Sequence, residues 1–171
     1  MFTTDDDFQR LDYRLLQNGA VNLFWVPRVL DETQEELKRL DYELLQVSCL
    51  AGSSSFERQM SDALRWEDQF GYAPWNGNLD ALNDGLGHYP FGPSGKAALI
   101  LRGFHALVAR DADFAWHVLD LIESNARYSL LEGKLLIGLV QTDDNRYACP
   151  PIGGRTPQWN GREWTDQDRG L

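Results

Sequence analysis

The stretch that decides the fold is Ala97-Ala98-Leu99-Ile100-Leu101, five consecutive apolar residues. A short, continuously apolar run is typical of a strand that is buried on both faces, as in a parallel sheet covered by helices. Two further stretches, at 42–50 and 134–140, are predicted to form one strand before it and one after it. We therefore expect an α/β fold built on a small parallel sheet of three strands packed by helices.

The segments between these strands have helical periodicity, as the crossovers of a parallel sheet require. Ser54 and Glu57 have the spacing of a capping box for a first helix that runs to about Phe70. Asn78 is placed to cap a second, short helix, and a third helix is predicted at 111–123. The predicted order is strand, two helices, strand, helix, strand.

The N-terminal segment is predicted to add a β-hairpin to this sheet. Residues 13–16 and 21–26 are apolar runs joined through Asn18-Gly19, a pair typical of hairpin turns because both residues tolerate positive φ. Pro27 ends the second run, and Asp31 is predicted to cap the short helix that follows.

An octapeptide occurs twice with one substitution. It reads Arg-Leu-Asp-Tyr-Arg-Leu-Leu-Gln at 10–17 and Arg-Leu-Asp-Tyr-Glu-Leu-Leu-Gln at 39–46. The similarity extends no further, so the chain is not a repeat protein. The repetition is explained either by two strands with similar pairing preferences or by chance.

We divide the chain into three segments. Residues 1–40 form the N-terminal hairpin and helix, and 41–144 form the central α/β domain. Residues 145–171 form a C-terminal extension, in which Trp159 and Trp164 flank an Asn-Gly pair. Tryptophans in this position indicate a packed hairpin or arm rather than free disorder.

Composition favours a small acidic protein with a protein partner. The chain has 171 residues, 43% of them apolar, which is enough for one core without disulfides. Its 26 acidic and 16 basic residues give a net charge of −10. This balance argues against nucleic acid, which is bound through Lys and Arg, and permits fast capture of a basic partner.

The sequence gives no sign of export, membrane insertion, metal or cofactor. No apolar run is long enough to span a bilayer, and the first residues are acidic, so we expect a cytoplasmic protein. Cys49 and Cys149 lack the paired spacing of a metal site and are predicted to be reduced. No cofactor and no catalytic residue is predicted.

The residues most able to carry a function lie in the predicted helix after Asn78. Asp80 falls in the first turn, where the helix dipole favours a negative charge, and Asp84 follows four residues later on the same face. Two like charges at this spacing repel each other. A partner arginine could offset that repulsion through two parallel hydrogen bonds to a carboxylate. A solvated helix face is the alternative interpretation.

This stretch resembles the barstar family, whose archetype is the intracellular inhibitor of the ribonuclease barnase. The family has an aromatic and glycine loop that runs into Asn-Leu-Asp-Ala-Leu, followed two residues later by an acid. Asn78-Leu79-Asp80-Ala81-Leu82-Asn83-Asp84 matches this core, and the order of elements from 42 to 140 also fits. In the loop, Pro74-Trp75-Asn76-Gly77 replaces the family's aromatic pair and glycine, and Asn83 stands where an aromatic residue is common.

The resemblance implies a non-enzymatic inhibitor or immunity protein. By this resemblance, Asp80 and Asp84 would enter the cationic phosphate site of a basic ribonuclease or nuclease toxin. Trp75, Asn76, Gly77, Asn78 and Asn83 would complete the contact surface.

Two other functions stay open at this point. One is a barstar-like interaction or regulatory module whose partner is not a nuclease. The other is catalysis, with Asp80 and Asp84 as a glycosidase-like acid pair. His88, His105 and His117 are scattered in the sequence and stand in no nucleophile motif, which disfavours catalysis.

Overall fold

The computed structural model describes residues 2, 4–50, 52 and 55–171. The strands are β1 (Val21–Phe24), β2 (Glu43–Ser48), β3 (Lys96–Arg102), β4 (Leu135–Gln141) and β5 (Gln158–Trp159). The helices are α1 (Asp5–Gln9), α2 (Leu11–Leu16), α3 (Pro27–Arg39), α4 (Phe56–Ala63), α5 (Trp66–Phe70), α6 (Leu79–Gly87), α7 (Phe104–Arg110) and α8 (Ala112–Leu131), and a 3₁₀ helix covers Gln167–Arg169.

The strands form one parallel sheet in the order β2-β3-β4-β1-β5. The predicted α/β class is confirmed, and the segments predicted as strands at 42–50, 97–101 and 134–140 correspond to the adjacent strands β2, β3 and β4. Ala97 through Leu101 are buried, as expected for a strand covered on both faces. The sheet has five strands rather than the three predicted, because β1 and β5 extend it beyond β4.

The predicted N-terminal β-hairpin is wrong. Residues 13–16, its first strand, lie in helix α2, and its second strand is β1, which pairs in parallel with β4. Asn18-Gly19 does form a turn, with Gly19 at φ +124°, but the turn links a helix to a strand. The sequence therefore predicts the turn at Asn18-Gly19 correctly, but the element before the turn is a helix rather than a strand.

Helix α2 depends on contacts outside its own six residues. Leu15 is buried in the core that α3 also covers. Asp12 is fully buried, and its carboxylate accepts hydrogen bonds from Arg10 Nη2 (2.7 Å) and the Tyr42 hydroxyl (3.1 Å). A helix of this length is unstable in isolation, so these tertiary partners decide its conformation.

Helices cover both faces of the sheet and enclose two cores. Residues of α2 and α3 pack with Phe24, Ile100 and Leu139 on one face. Residues of α4, α5, α6, α7 and α8 pack with Leu23, Leu99 and the aromatic side chains of the other face. Within the described part of the chain, no helix has both the length and the apolar content needed to cross a membrane.

Several helix boundaries differ from the predicted ones for local reasons. Helix α3 begins at Pro27 rather than after Asp31. Proline lacks an amide hydrogen, which costs nothing in the first helical turn because amides there have no partner within the helix. The helix predicted to run to Phe70 is two helices, separated at Arg65, which has φ +53°. Helix α7 was not predicted, and α8 continues past the predicted end at residue 123 to Leu131.

The start of α4 uses a different cap from the one predicted. Ser54 lies outside the described residues. The side chain of Ser55 caps α4, since its hydroxyl accepts a hydrogen bond from the Arg58 amide (3.2 Å).

The C-terminal segment is joined to the sheet by a buried carboxylate. Glu163 is buried and accepts hydrogen bonds from the backbone amides of Trp25 (3.3 Å) and Val26 (2.6 Å), at the N-terminus of α3. These amides have no partner inside the helix, and the helix dipole favours an anion there. Asn160 donates a further hydrogen bond to Glu163, and β5 pairs with β1.

We predict that Glu163→Ala lowers the free energy of unfolding by about 3 kcal/mol, because it leaves buried amides unsatisfied. Urea denaturation followed by circular dichroism measures this change. The matched control is Glu132→Ala, which removes a carboxylate that is 63% exposed and forms an ion pair with Lys134. The control should change stability by less than about 1 kcal/mol. Equal losses in the two variants would contradict this role of Glu163.

Candidate functional site

Helix α6 has the position, the cap and the inner face that the sequence predicts. The Asn78 side chain accepts a hydrogen bond from the Ala81 amide (2.9 Å), which makes Asn78 the N-cap. Leu82 and Leu86 are buried on the inner side. Asp80 and Asp84 are exposed.

The two carboxylates on α6 are not neutralised by the described part of the chain. Neither Asp80 nor Asp84 forms an ion pair or a carboxylate hydrogen bond with a described residue. Residues four apart on a helix have Cβ atoms about 6 Å from each other, so the charges repel. The helix therefore presents two adjacent negative charges to the solvent.

Trp75 does not belong to the exposed surface, which corrects its predicted role as a partner contact. Its ring is buried and stacks on Phe114 with centroids 6.1 Å apart. The indole Nε1 donates to the Asn78 carbonyl (2.7 Å), and the Trp75 amide donates to the Ser61 hydroxyl (2.6 Å). Trp75 thus anchors the loop that leads into α6 and holds the N-cap in place.

The other predicted contact residues lie at the surface around α6. Asn76 is exposed, and its Oδ1 accepts a hydrogen bond from the Asn78 amide (3.1 Å). Gly77 has φ +89°, a conformation that favours glycine, so it shapes the loop. Asn83 is exposed, and its Oδ1 accepts a hydrogen bond from the Asn125 side chain on α8 (2.9 Å).

Helix α5 supports α6 at close range. Gly85 lies against the buried Trp66 ring, and a Cβ built on Gly85 would be 2.5 Å from Trp66 Cζ3. The Gln69 side chain donates hydrogen bonds to the carbonyls of Leu64 (2.6 Å) and Gly85 (3.2 Å). The glycine therefore permits an approach of the two helices that any other residue would prevent.

The structure adds surface residues that the sequence motif did not predict. Tyr72, in the loop before α6, is 49% exposed. Asp62, Glu67 and Asp68 are exposed on α4 and α5 and form no ion pair with a described residue. Asp62 lies on α4, whereas Glu67 and Asp68 lie on α5, which contacts α6 through Trp66 and Gly85. The acidic composition of 53–92 could have indicated these residues. It could not have predicted the helix break at Arg65, which separates α5 from α4.

Other reactive groups lie in separate surroundings. His88 Nδ1 is 2.9 Å from the Asp84 carbonyl, whereas His105 and His117 each lie 3.7 Å from a different aspartate. Burial raises the pKa of the Cys49 thiol to about 12, which keeps it protonated at neutral pH. Across the residues that the structure describes, no group of three or more potential ligands is arranged to hold a metal ion.

The fold offers a second position for a ligand, which the chain itself fills. Strand order reverses between β4 and β1, where open α/β sheets bind ligands beyond the carboxyl ends of the strands. The Glu163 carboxylate accepts a hydrogen bond from the Val26 amide, which follows β1. The Asn145 side chain, beyond β4, donates to the Arg169 carbonyl (2.9 Å). The C-terminal segment therefore closes this crevice, which leaves the acidic helix as the stronger candidate.

A cleft of about 780 Å³ lies between α2, α3 and the C-terminal segment, on the opposite face of the sheet from α6. Its charged lining mixes both signs and so specifies no ligand class; these residues are Arg14, Arg39, Arg162, Asp31, Glu32, Glu35 and Glu36.

Comparison of the chain with protein-family models, with curated proteins and with solved structures gave no match. The resemblance to barstar therefore stays a prediction, which depends on the 78–84 motif and on the order of the elements.

We predict that Gly85→Ala lowers the free energy of unfolding by about 2 kcal/mol, because the new methyl group collides with Trp66. Urea denaturation measures the change. In a helix without such a neighbour, the same substitution would stabilise the protein by up to about 1 kcal/mol. The sign of the change therefore shows whether Gly85 is in close contact with Trp66. Gly161→Ala is the control, since a Cβ there meets no atom within 4 Å. A stabilised Gly85→Ala variant would contradict the described packing.

Proposed function

We propose that the protein is a non-catalytic inhibitor that covers the active site of a basic ribonuclease or nuclease toxin with helix α6. The observation that carries the proposal is the pair Asp80 and Asp84. The two carboxylates are exposed, one helical turn apart, and unneutralised by the described chain. The sequence motif around them resembles that of barstar, an inhibitor of this class.

The chemistry of a nuclease active site suits such a surface. A nuclease holds phosphates with arginine and lysine side chains, and a carboxylate offers these groups a similar set of acceptors. Arginine binds a carboxylate through two parallel hydrogen bonds, which gives both strength and orientation. Two carboxylates on one helix can therefore take the place of substrate phosphates without presenting a bond to cleave.

Rigidity of the helix favours tight binding. The Asn78 cap, the buried Trp75 and the Trp66–Gly85 contact fix α6 before a partner arrives. A surface that is already ordered loses less conformational entropy on association. The acids therefore need little rearrangement to bind.

The charge distribution favours fast association with a cationic protein. The net charge is −10, and α4 and α5 carry three further exposed acids that form no ion pair with a described residue, namely Asp62, Glu67 and Asp68. Complementary fields of this kind raise association rates and make them sensitive to salt. No cofactor, metal or nucleic acid takes part in the proposed function.

We predict that Asp80→Asn/Asp84→Asn weakens binding to the target nuclease by roughly 100-fold or more, because charge-assisted pairs at an interface centre act as hot spots. The probes are barnase and the purified ribonucleases and nuclease toxins encoded in the source genome. Isothermal titration calorimetry gives the affinity, and cleavage of a fluorogenic RNA gives the inhibition. The thermal midpoint of the variant should match that of the wild type, since both side chains are exposed.

The charge-matched control is Glu35→Gln/Glu36→Gln, which removes two exposed charges from α3 on the other face of the sheet. It should change the affinity by less than about threefold, through long-range charge alone. If the Asp80/Asp84 variant binds like this control, α6 is not the contact surface. If no basic nuclease binds, or if the partner that binds is neutral and is held equally at high salt, the nuclease-inhibitor function is wrong.

A further inference from the structure

The C-terminal half of α8 carries two apolar side chains that protrude into the solvent. Tyr128 is 69% exposed and Leu131 is 84% exposed, the highest values among the large apolar side chains of the described residues. They are three residues apart, so they lie on neighbouring turns of one side of the helix. Single exposed apolar residues are ordinary in proteins, but two on adjacent turns form a small patch.

Helix α8, which carries this patch, contacts the acidic helix α6. The Asn125 side chain of α8 donates to Asn83 Oδ1 of α6 (2.9 Å), and a Cβ built on Gly87 would lie 3.2 Å from Asn125 Oδ1. Tyr128 is three residues beyond Asn125 and therefore one turn further along the side of α8 that meets α6. The patch therefore follows the α6–α8 contact along α8.

An exposed tyrosine on a helix that contacts the acidic helix can contribute to a protein interface. Tyrosine is enriched among interface hot spots because its ring buries a large apolar area with little loss of conformational freedom. An apolar contact at the edge of an ion pair also excludes water, and the lower local dielectric strengthens the pair. The patch and the acids would therefore reinforce each other in a single interface.

We infer that Tyr128 and Leu131 form the apolar rim of the same interface that contains Asp80 and Asp84. Their partner is a basic protein whose cationic groove is bordered by an apolar or aromatic surface. This inference rests on the proposed function and specifies the partner more closely: arginine or lysine side chains that meet α6, next to an apolar face that receives Tyr128.

Charge selects this occupant over a second copy of the chain. A symmetric dimer through the patch would bring the acidic helices of two molecules, each of net charge −10, toward one another. Like charges placed together at an interface oppose association. A cationic partner removes that repulsion, whereas a second copy doubles it.

The test compares two classes of variant against the tightest-binding nuclease from the panel of basic ribonucleases above. Surface plasmon resonance at several salt concentrations measures association and dissociation rates of the full chain. Tyr128→Ala and Leu131→Ser should each weaken affinity by roughly tenfold or more through faster dissociation, with the salt dependence of the wild type. Asp80→Asn/Asp84→Asn should instead reduce the salt dependence and slow association.

Matched controls separate a contact from a general loss of apolar surface. Trp164→Ala removes a side chain that is 56% exposed and lines the cleft on the other face of the sheet. Leu130→Ala removes a neighbour of Leu131 that faces a different cleft, lined also by Arg155. Both should bind within about twofold of the wild type. Tyr128→Phe, which keeps the ring, should also bind within about twofold.

The outcomes distinguish this inference from the proposed function. If the nuclease binds and the Asp80/Asp84 variant is weakened, but Tyr128→Ala and Leu131→Ser behave like the controls, the apolar rim is wrong and the inhibitor function stands. If no nuclease in the panel binds the wild type, both are wrong. Thermal midpoints of all variants within about 2 °C of the wild type show that a change in affinity is not a change in folding.

Discussion

Strand β3 must be covered on both faces, because each residue from Ala97 to Leu101 is apolar and buried. This requirement organises the chain. Neighbouring strands must be parallel to it, since each connection has to carry a helix across a face of the sheet. Helices α2 and α3 supply one layer and α4 to α8 supply the other. Helix α6 belongs to the second layer, where its inner side contributes Leu82 and Leu86 to the core and its outer side meets the solvent.

The acidic helix combines an unfavourable charge arrangement with strong positional restraint. Asp80 and Asp84 repel each other, and a nine-residue helix gains little stability from its own hydrogen bonds. What holds it is tertiary: the loop anchored by Trp75 and the contact of Gly85 with Trp66. A helix that existed only to cover the core could carry neutral or mixed charges on its outer face. Restraint of a self-repelling surface is the arrangement expected of a preorganised binding element.

The sequence predicted those elements whose own residues determine them. Strand β3 followed from its continuous apolar run, β2 and β4 followed from the predicted strands at 42–50 and 134–140, and α6 followed from its Asn78 cap and its leucine spacing. The prediction of the N-terminal hairpin was wrong because nearly identical octapeptides adopt two conformations: the one at 10–17 contains helix α2, whereas the one at 39–46 contains the end of α3 and the start of β2. Asp12 is buried against the Tyr42 hydroxyl, whereas its counterpart Asp41 is exposed with φ +64°. Tertiary contacts therefore decide between the two conformations, and a local sequence pattern carries no information about those contacts.

The buried carboxylates of the molecule differ from Asp80 and Asp84 in the hydrogen-bond donors that surround them. Asp12 is held by Arg10 and Tyr42, and Glu163 by the amides at the start of α3. Glu123 likewise accepts a hydrogen bond from the Ala20 amide (2.7 Å). Each buried acid is thus matched with donors, as burial of a charge requires. Asp80 and Asp84 are exposed and have no such donors in the described chain. The proposed function gives these two exposed carboxylates the donors of a partner protein, in place of the donors that the fold supplies to its buried acids.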